Sequence, residues 1–206
     1  MTPPRLALSM VFALLAAAAQ AVPPADFPVR LVDAAATQIG ATTGYDPAYI
    51  RIAYPNGDVP IESGVCTDVV VRAYRELGVD LQQRVHEDMR ASFAAYPKLW
   101  GLKSPDPNID HRRVPNLAAF FTRHGKALKT SQDDPSIYAP GDIVTWRLPS
   151  GVPHIGIVST RRVDGRPTVV HNIGLGTRDD DALFAFVVTG HYRYAPAVTS
   201  SGSSRR

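Results

Sequence analysis

The chain has 206 residues, of which 45% are hydrophobic and 20% charged. That is enough for one domain with its own core and too apolar for wholesale disorder. The formal net charge is +3, with Arg5, Arg205 and Arg206 at the two ends, and no Lys/Arg stripe with interleaved aromatics runs between them. Nucleic acid is therefore not an expected partner.

Arg5 precedes an apolar run at 6–19, and Ala19-Gln20-Ala21 has the small-x-small form of a signal peptidase site. The run is short for a bilayer span. It predicts a signal peptide over 1–21, with a short membrane anchor as the alternative. No cysteine follows the run, which excludes a lipoprotein. The expected mature protein is periplasmic or secreted, with no stable membrane insertion after cleavage. A single domain is expected over 22–198, and the Ser-rich stretch 199–206 reads as a disordered tail.

Asp26 and Pro28 suit the start of a helix that runs to about Ile39 and ends at Gly40. Residues 42–64 carry the turn signals Tyr45-Asp46-Pro47 and Pro55-Asn56-Gly57-Asp58 and read as an ordered loop. A second helix spans 65–78, with Cys66, Val70, Ala73 and Leu77 at helical spacing. A weaker amphipathic segment covers 81–100, and a proline-dense loop covers 101–108. Pro115 opens a fourth helix that Gly125 closes. From Gly141 the pattern turns to strands at 142–148, 154–160, 168–173 and 183–192, with turns at Pro149-Ser150-Gly151 and Asp164-Gly165. Helices followed by an antiparallel meander define an α+β class.

Cys66 is the lone cysteine of a chain expected to be exported, where thiols are usually paired or absent. At a helix start its thiolate would be favoured by free backbone N–H groups and the helix dipole. Those same groups can hold an oxyanion. The plainer alternative is an inert buried cysteine. A thiol nucleophile needs a base, and His154 opens the strand His154-Ile155-Gly156-Ile157-Val158 directly after a turn. Gly156 leaves space beside it, read as room for a helix end. If the next strand is its neighbour, His171 can hold the base in its working tautomer. Asn172 takes that role if the register is shifted. A surface histidine at a turn is the bland alternative for His154.

Cysteine at a helix start, Gly141-Asp142-Ile143-Val144, the 154–158 strand and a polar residue on the next strand follow one order. This order resembles the NlpC and CHAP superfamily of circularly permuted papain-like cysteine hydrolases. Gly64-Val65-Cys66-Thr67-Asp68-Val69-Val70, Ile109-Asp110-His111-Arg112-Arg113-Val114-Pro115-Asn116 and His171-Asn172-Ile173-Gly174 more closely resemble an uncharacterised exported bacterial family within that group. The resemblance implies a papain-like fold, with Cys66 as nucleophile, His154 as base and His171 as orienting residue. It also implies amide hydrolysis in peptidoglycan peptides. One departure is that the acidic residue usual just before the cysteine is absent, and Asp68 follows it instead.

Asp110-His111-Arg112-Arg113 could contact substrate, its paired arginines clamping a carboxylate bidentately, or could be a structural loop. Asp68 either orients the cysteine loop or simply favours the helix start. Asp68, His111, Arg112, Arg113 and Asn172 thus form the expected substrate-binding set. No His-Glu-x-x-His motif or other ligand spacing is present, so neither a metal nor a cofactor is expected. The expected partner is peptidoglycan or a peptide substrate, met by a monomer. A non-catalytic wall- or protein-binding module on the same fold is the alternative, followed by a thiol acyltransferase or lipid-directed hydrolase.

Overall fold

The computed structural model describes residues 26–196; the expected signal peptide at 1–21 and tail at 199–206 lie outside the described residues. Four helices come first: α1 (Phe27–Ala36), α2 (Cys66–Glu76), α3 (Leu81–Ala91) and α4 (Val114–His124). Six strands follow: β1 (Lys126–Ala127), β2 (Ile143–Arg147), β3 (Pro153–Val163), β4 (Arg166–Asn172), β5 (Thr177–Asp180) and β6 (Val187–Arg193). They form one antiparallel sheet in the order β1-β6-β2-β3-β4-β5. The chain adopts the α+β class that its helix-then-strand order predicts.

Both faces of the sheet are covered. One face buries Ile143, Ile155, Ile157 and Val170 with Leu31, Val70 and Tyr74 of the helices. The other buries Val144, Trp146, Val158 and Val169 with Tyr138 and Leu183 from connecting segments. Trp146 on this second face donates its indole N–H to the Leu183 carbonyl at 2.9 Å. Burying the strands on both sides explains why β2 to β4 read as near-continuous apolar runs.

Several boundaries differ from expectation for local reasons. The segment expected as a helix over 81–100 stops at Ala91, continues as a short 3-10 turn at Phe93–Ala95, and unwinds before Pro97. Proline disfavours helical backbone in the residue before it. Asp26 precedes α1, but its side chain makes no capping hydrogen bond. The last strand starts at Val187 rather than 183, because Leu183 turns under Trp146. β1 and β5 are strands the sequence did not suggest. The β5 residues Thr177, Arg178, Asp179 and Asp180 carry no apolar alternation.

The loop 42–64 has almost no regular structure, yet side chains from elsewhere tie it down. Arg72 of α2 donates to Thr42 Oγ1 and to the Val59, Pro60 and Ser63 carbonyls. Gln82 of α3 donates to the Ala53 carbonyl and accepts the Gly57 N–H. Asn172 of β4 donates to the Gly44 and Gly64 carbonyls. The loop arrives at Val65 in extended conformation, and α2 starts at Cys66.

Candidate active site

Asp68 sits three residues beyond the Val65 N-cap, and its carboxylate accepts the Val65 N–H at 2.7 Å. This is the reciprocal half of a capping box, and it fixes the backbone on which Cys66 begins the helix. The same carboxylate takes two bonds from Arg112, Nε to Oδ1 and Nη2 to Oδ2, both at 3.0 Å. Arg112 also donates to the Ala48 and Asp46 carbonyls. Both partners of this fork are buried.

Cys66 lies at the wall of a cavity of about 350 Å³ that also involves Tyr45, Trp100, Arg113, Val152 and Pro153. Burial pushes its thiol up to about 12. Hydrogen bonds from the backbone of Ile155, Thr67 and Cys66 itself act against that rise, and the Asp68 carboxylate adds to it. The expectation of a thiolate favoured by the helix start is corrected here: loss of solvent outweighs the backbone dipoles, and the resting group is a thiol. The backbone donors nevertheless surround the sulfur where negative charge would develop.

Pro153, at the cavity, opens β3; His154 follows it, and Ile155, whose backbone reaches the sulfur, comes next. The His154 Nε2 and His171 Nδ1 atoms are 2.7 Å apart. Both rings are buried, and both pack beside Trp146, with centroids 5.7 Å and 6.4 Å from its ring. Burial is the larger cause that lowers His154 to about 3, followed by the neighbouring His171. Burial likewise lowers His171, partly opposed by the Asp180 carboxylate. The site at rest thus holds a neutral thiol and two neutral imidazoles. No hydrogen bond joins the Cys66 sulfur to His154 in this arrangement.

Gly156 has a different role from the one its position suggested. A Cβ there would stand 2.6 Å from Val169 Cγ1 and 3.1 Å from His171 Cβ. The missing side chain makes room for β4, and so for the His171 ring, rather than for a helix end.

The expected substrate-binding set divides in two. Asn172 is fully buried; it donates to Gly44 and Gly64 and accepts the Gly174 N–H, so it orients the loop before Cys66 and not the base. His111 is buried and lowered to about 3, mainly by burial, and it does not line the cavity. Asp68 is occupied by Arg112 and Val65. These three stand behind the cavity wall, where Asn172 and Asp68 bond to the fold and His111 Nδ1 is buried without a partner. Arg112 reaches the cavity, but four of its bonds go inward, so the expected clamp of two arginines reduces to Arg113. The Arg113 guanidinium lies 4.4 Å from the Trp100 ring centroid, and its Nη1 is 3.9 Å from Asp110 Oδ1 with no hydrogen-bond partner.

Three site residues carried little signal in the sequence. Tyr45 belongs to a turn motif in the sequence, yet its side chain, still exposed, lines the cavity, its hydroxyl pushed up to about 12 by loss of solvent and by Cys66. Trp100 was assigned to a helix, yet it is exposed with φ 58° and stacks on Arg113. Asp180, on the unexpected β5, lies 3.6 Å from His171 Nε2. Among the described residues no group of three or more His, Cys, Asp or Glu side chains is placed to hold a metal ion, and no helix is long and apolar enough to cross a membrane.

These features define an α+β protein with a cavity-lining cysteine at a helix start and a bonded histidine pair on adjacent strands. The domain of unknown function DUF1287 matches residues 32–194, and the chain belongs to that family. It is 55% identical over 181 residues to the uncharacterized protein YijF of Escherichia coli (strain K12), covering 84% of this chain and 88% of that protein. Among solved structures, NlpC1 from Trichomonas vaginalis is similar at 16% identity with a TM-score of 0.43. That alignment covers 81% of this chain and 44% of the other, so the chain spans less than half the length of that structure.

Proposed function

We propose that the protein is an exported cysteine hydrolase that cleaves amide bonds, with peptidoglycan stem peptides as its substrates and a periplasmic or extracellular site of action. The observations that support this reading are the Cys66 helix start and Pro153 on one cavity wall, the Ile155 backbone reaching the Cys66 sulfur, and His154, between those two strand residues, bonded to His171. The sequence resemblance to NlpC-type hydrolases and the export signal support the substrate class.

In the proposed reaction the Cys66 proton passes to His154 Nδ1 as the sulfur attacks the substrate carbonyl. Each charge formed alone is opposed by burial, whereas thiolate and imidazolium formed together stabilise one another. Transfer therefore accompanies attack. Catalytic hydrogen bonds often close only with substrate in place, which fits the unjoined thiol and imidazole at rest. Backbone N–H groups around the sulfur, with the Tyr45 hydroxyl across the cavity, donate to the oxyanion. The leaving amine takes the proton back from His154, and water resolves the thioester. Arg113, backed by Trp100, receives a substrate carboxylate. The enzyme acts as a monomer.

The test is muropeptide analysis of purified cell wall incubated with wild-type and Cys66→Ala protein. New peptide fragments are expected with wild type alone; equal release by Cys66→Ala would overturn the mechanism. A second reading has one observation in its favour. The raised thiol also fits a non-catalytic module that binds wall peptides in the same cavity. Wild-type protein that binds muropeptides without releasing fragments would establish it.

A further inference from the structure

The strongest demand left unmet near the cavity is at His171. Its Nε2 is buried without a hydrogen-bond partner, while its Nδ1 faces His154 Nε2 at 2.7 Å. One proton occupies that contact, so the two rings have two coupled tautomers. In one, His154 carries its proton on Nε2 and donates to His171, leaving His154 Nδ1 bare; His171 then carries its own proton on Nε2. In the other, His171 donates from Nδ1, His154 carries its proton on Nδ1, and His171 Nε2 is a bare lone pair. Only the first arrangement can accept a proton at His154 Nδ1.

The atom that distinguishes them is Asp180 Oδ2, 3.6 Å from His171 Nε2. In the β4–β5 ladder His171 lies opposite Arg178, and Asp180, two residues along, shares that face. A shift of about 0.7 Å would bring the pair to hydrogen-bond length. A carboxylate attracts an N–H at this position and repels a lone pair. We propose that Asp180 is the outer positioning residue of the site, holding the proton on His171 Nε2 and thereby leaving His154 Nδ1 free for the thiol. This rests on the assignment of Cys66 and His154 as nucleophile and base, and it extends that assignment to a residue on an edge strand.

The charged and titratable groups around the histidine pair are Arg178, Asp179 and Asp180 on β5. Arg178 Nε also approaches Asp180 Oδ2, at 3.4 Å, and competes for it. Asp180 is about a third exposed, which screens its effect. The expected loss is therefore about tenfold, far below that of removing the base itself.

Asp180→Asn should lower kcat about tenfold with KM unchanged, and should move the acid limb of the kcat profile to lower pH, because imidazolium loses its anionic neighbour. Asp180→Glu should restore both, and Arg178→Gln should leave kcat within about twofold. A purely structural role for Asp180 would change melting temperature and leave the acid limb in place. Nitrogen-15 NMR of the histidine rings reads the inference without turnover: His171 protonated on Nε2 in wild type, and a mixture in Asp180→Asn. An unchanged kcat and acid limb in Asp180→Asn, or a wild-type His171 protonated on Nδ1, overturns the proposal. An Nε2-protonated His171 that becomes a mixture in Asp180→Asn, in a wild-type protein that cleaves nothing, upholds Asp180's role and overturns the hydrolase reading instead.

Discussion

Replacing Arg112 by leucine separates two roles that the sequence left open for this residue, brace and substrate clamp. In the structure Arg112 and Asp68 form a two-pronged pair with both bonds at 3.0 Å, and their side chains are only 3% and 4% exposed. Arg112→Leu leaves the Asp68 carboxylate buried with only the Val65 N–H at 2.7 Å as partner. Removing one member of such a pair costs about 3–5 kcal/mol, because the remaining charge is stranded. The lost bonds to the Asp46 and Ala48 carbonyls add to this and free the stretch that carries Tyr45. The loss is a large fraction of an ordinary domain's roughly 5–15 kcal/mol. Urea unfolding should show the midpoint falling with its slope unchanged. Adding Asp68→Asn should recover part of the loss, since a neutral amide is less costly to strand. A loss below about 1 kcal/mol, combined with loss of peptide binding, would refute the brace and return Arg112 to the substrate.

Gly156→Ala forces a methyl to within 2.6 Å of Val169 Cγ1 and 3.0 Å of the Val170 carbonyl. It should cost about 1–3 kcal/mol and reduce activity per folded molecule by displacing His171; an unchanged melting temperature would contradict the packing argument. Acid should also weaken the fold. His111 and His154 are held at about 3 against an ordinary 6.5, so as pH falls from 6.5 toward 3 the unfolded chain binds protons that the folded chain refuses. Between pH 7 and 5 this costs on the order of 4 kcal/mol for the two together, at about 1.4 kcal/mol per unit. Asp110, raised by burial from 3.8 to about 6, protonates first in the folded state and offsets about 1.5 kcal/mol of that. The melting temperature should drop from pH 7 to 5 and drop less in His111→Gln; a flat or rising profile would contradict both assignments.

The placement of Cys66, His154 and His171 was legible because its signals are local. Gly64 and Gly78 bracket a helix whose apolar stripe begins at Cys66, and two turns place His154 and His171 on neighbouring strands. The rest was hidden because it depends on depth and on distant partners. Helix position predicts a stabilised thiolate, but only the fold shows that Cys66 is buried deeply enough to reverse that preference. Arg112 reads as a free cation until its partner, 44 positions earlier in the chain, is seen to bury both charges. β5 is polar along its length and pairs through its backbone at the sheet edge, so hydrophobic periodicity had nothing to detect.

The way residues 42–64 are fastened bears on how this protein can diverge. Arg72, Gln82, Arg112 and Asn172 grip the loop mainly by its carbonyl oxygens, which every amino acid supplies. Its course is therefore written largely in side chains that lie outside it, Arg75, Asp80 and Asn108 adding to these four. Substitutions within the loop that leave its backbone in place should keep the same wall, whereas losing one of these distant anchors should redraw it.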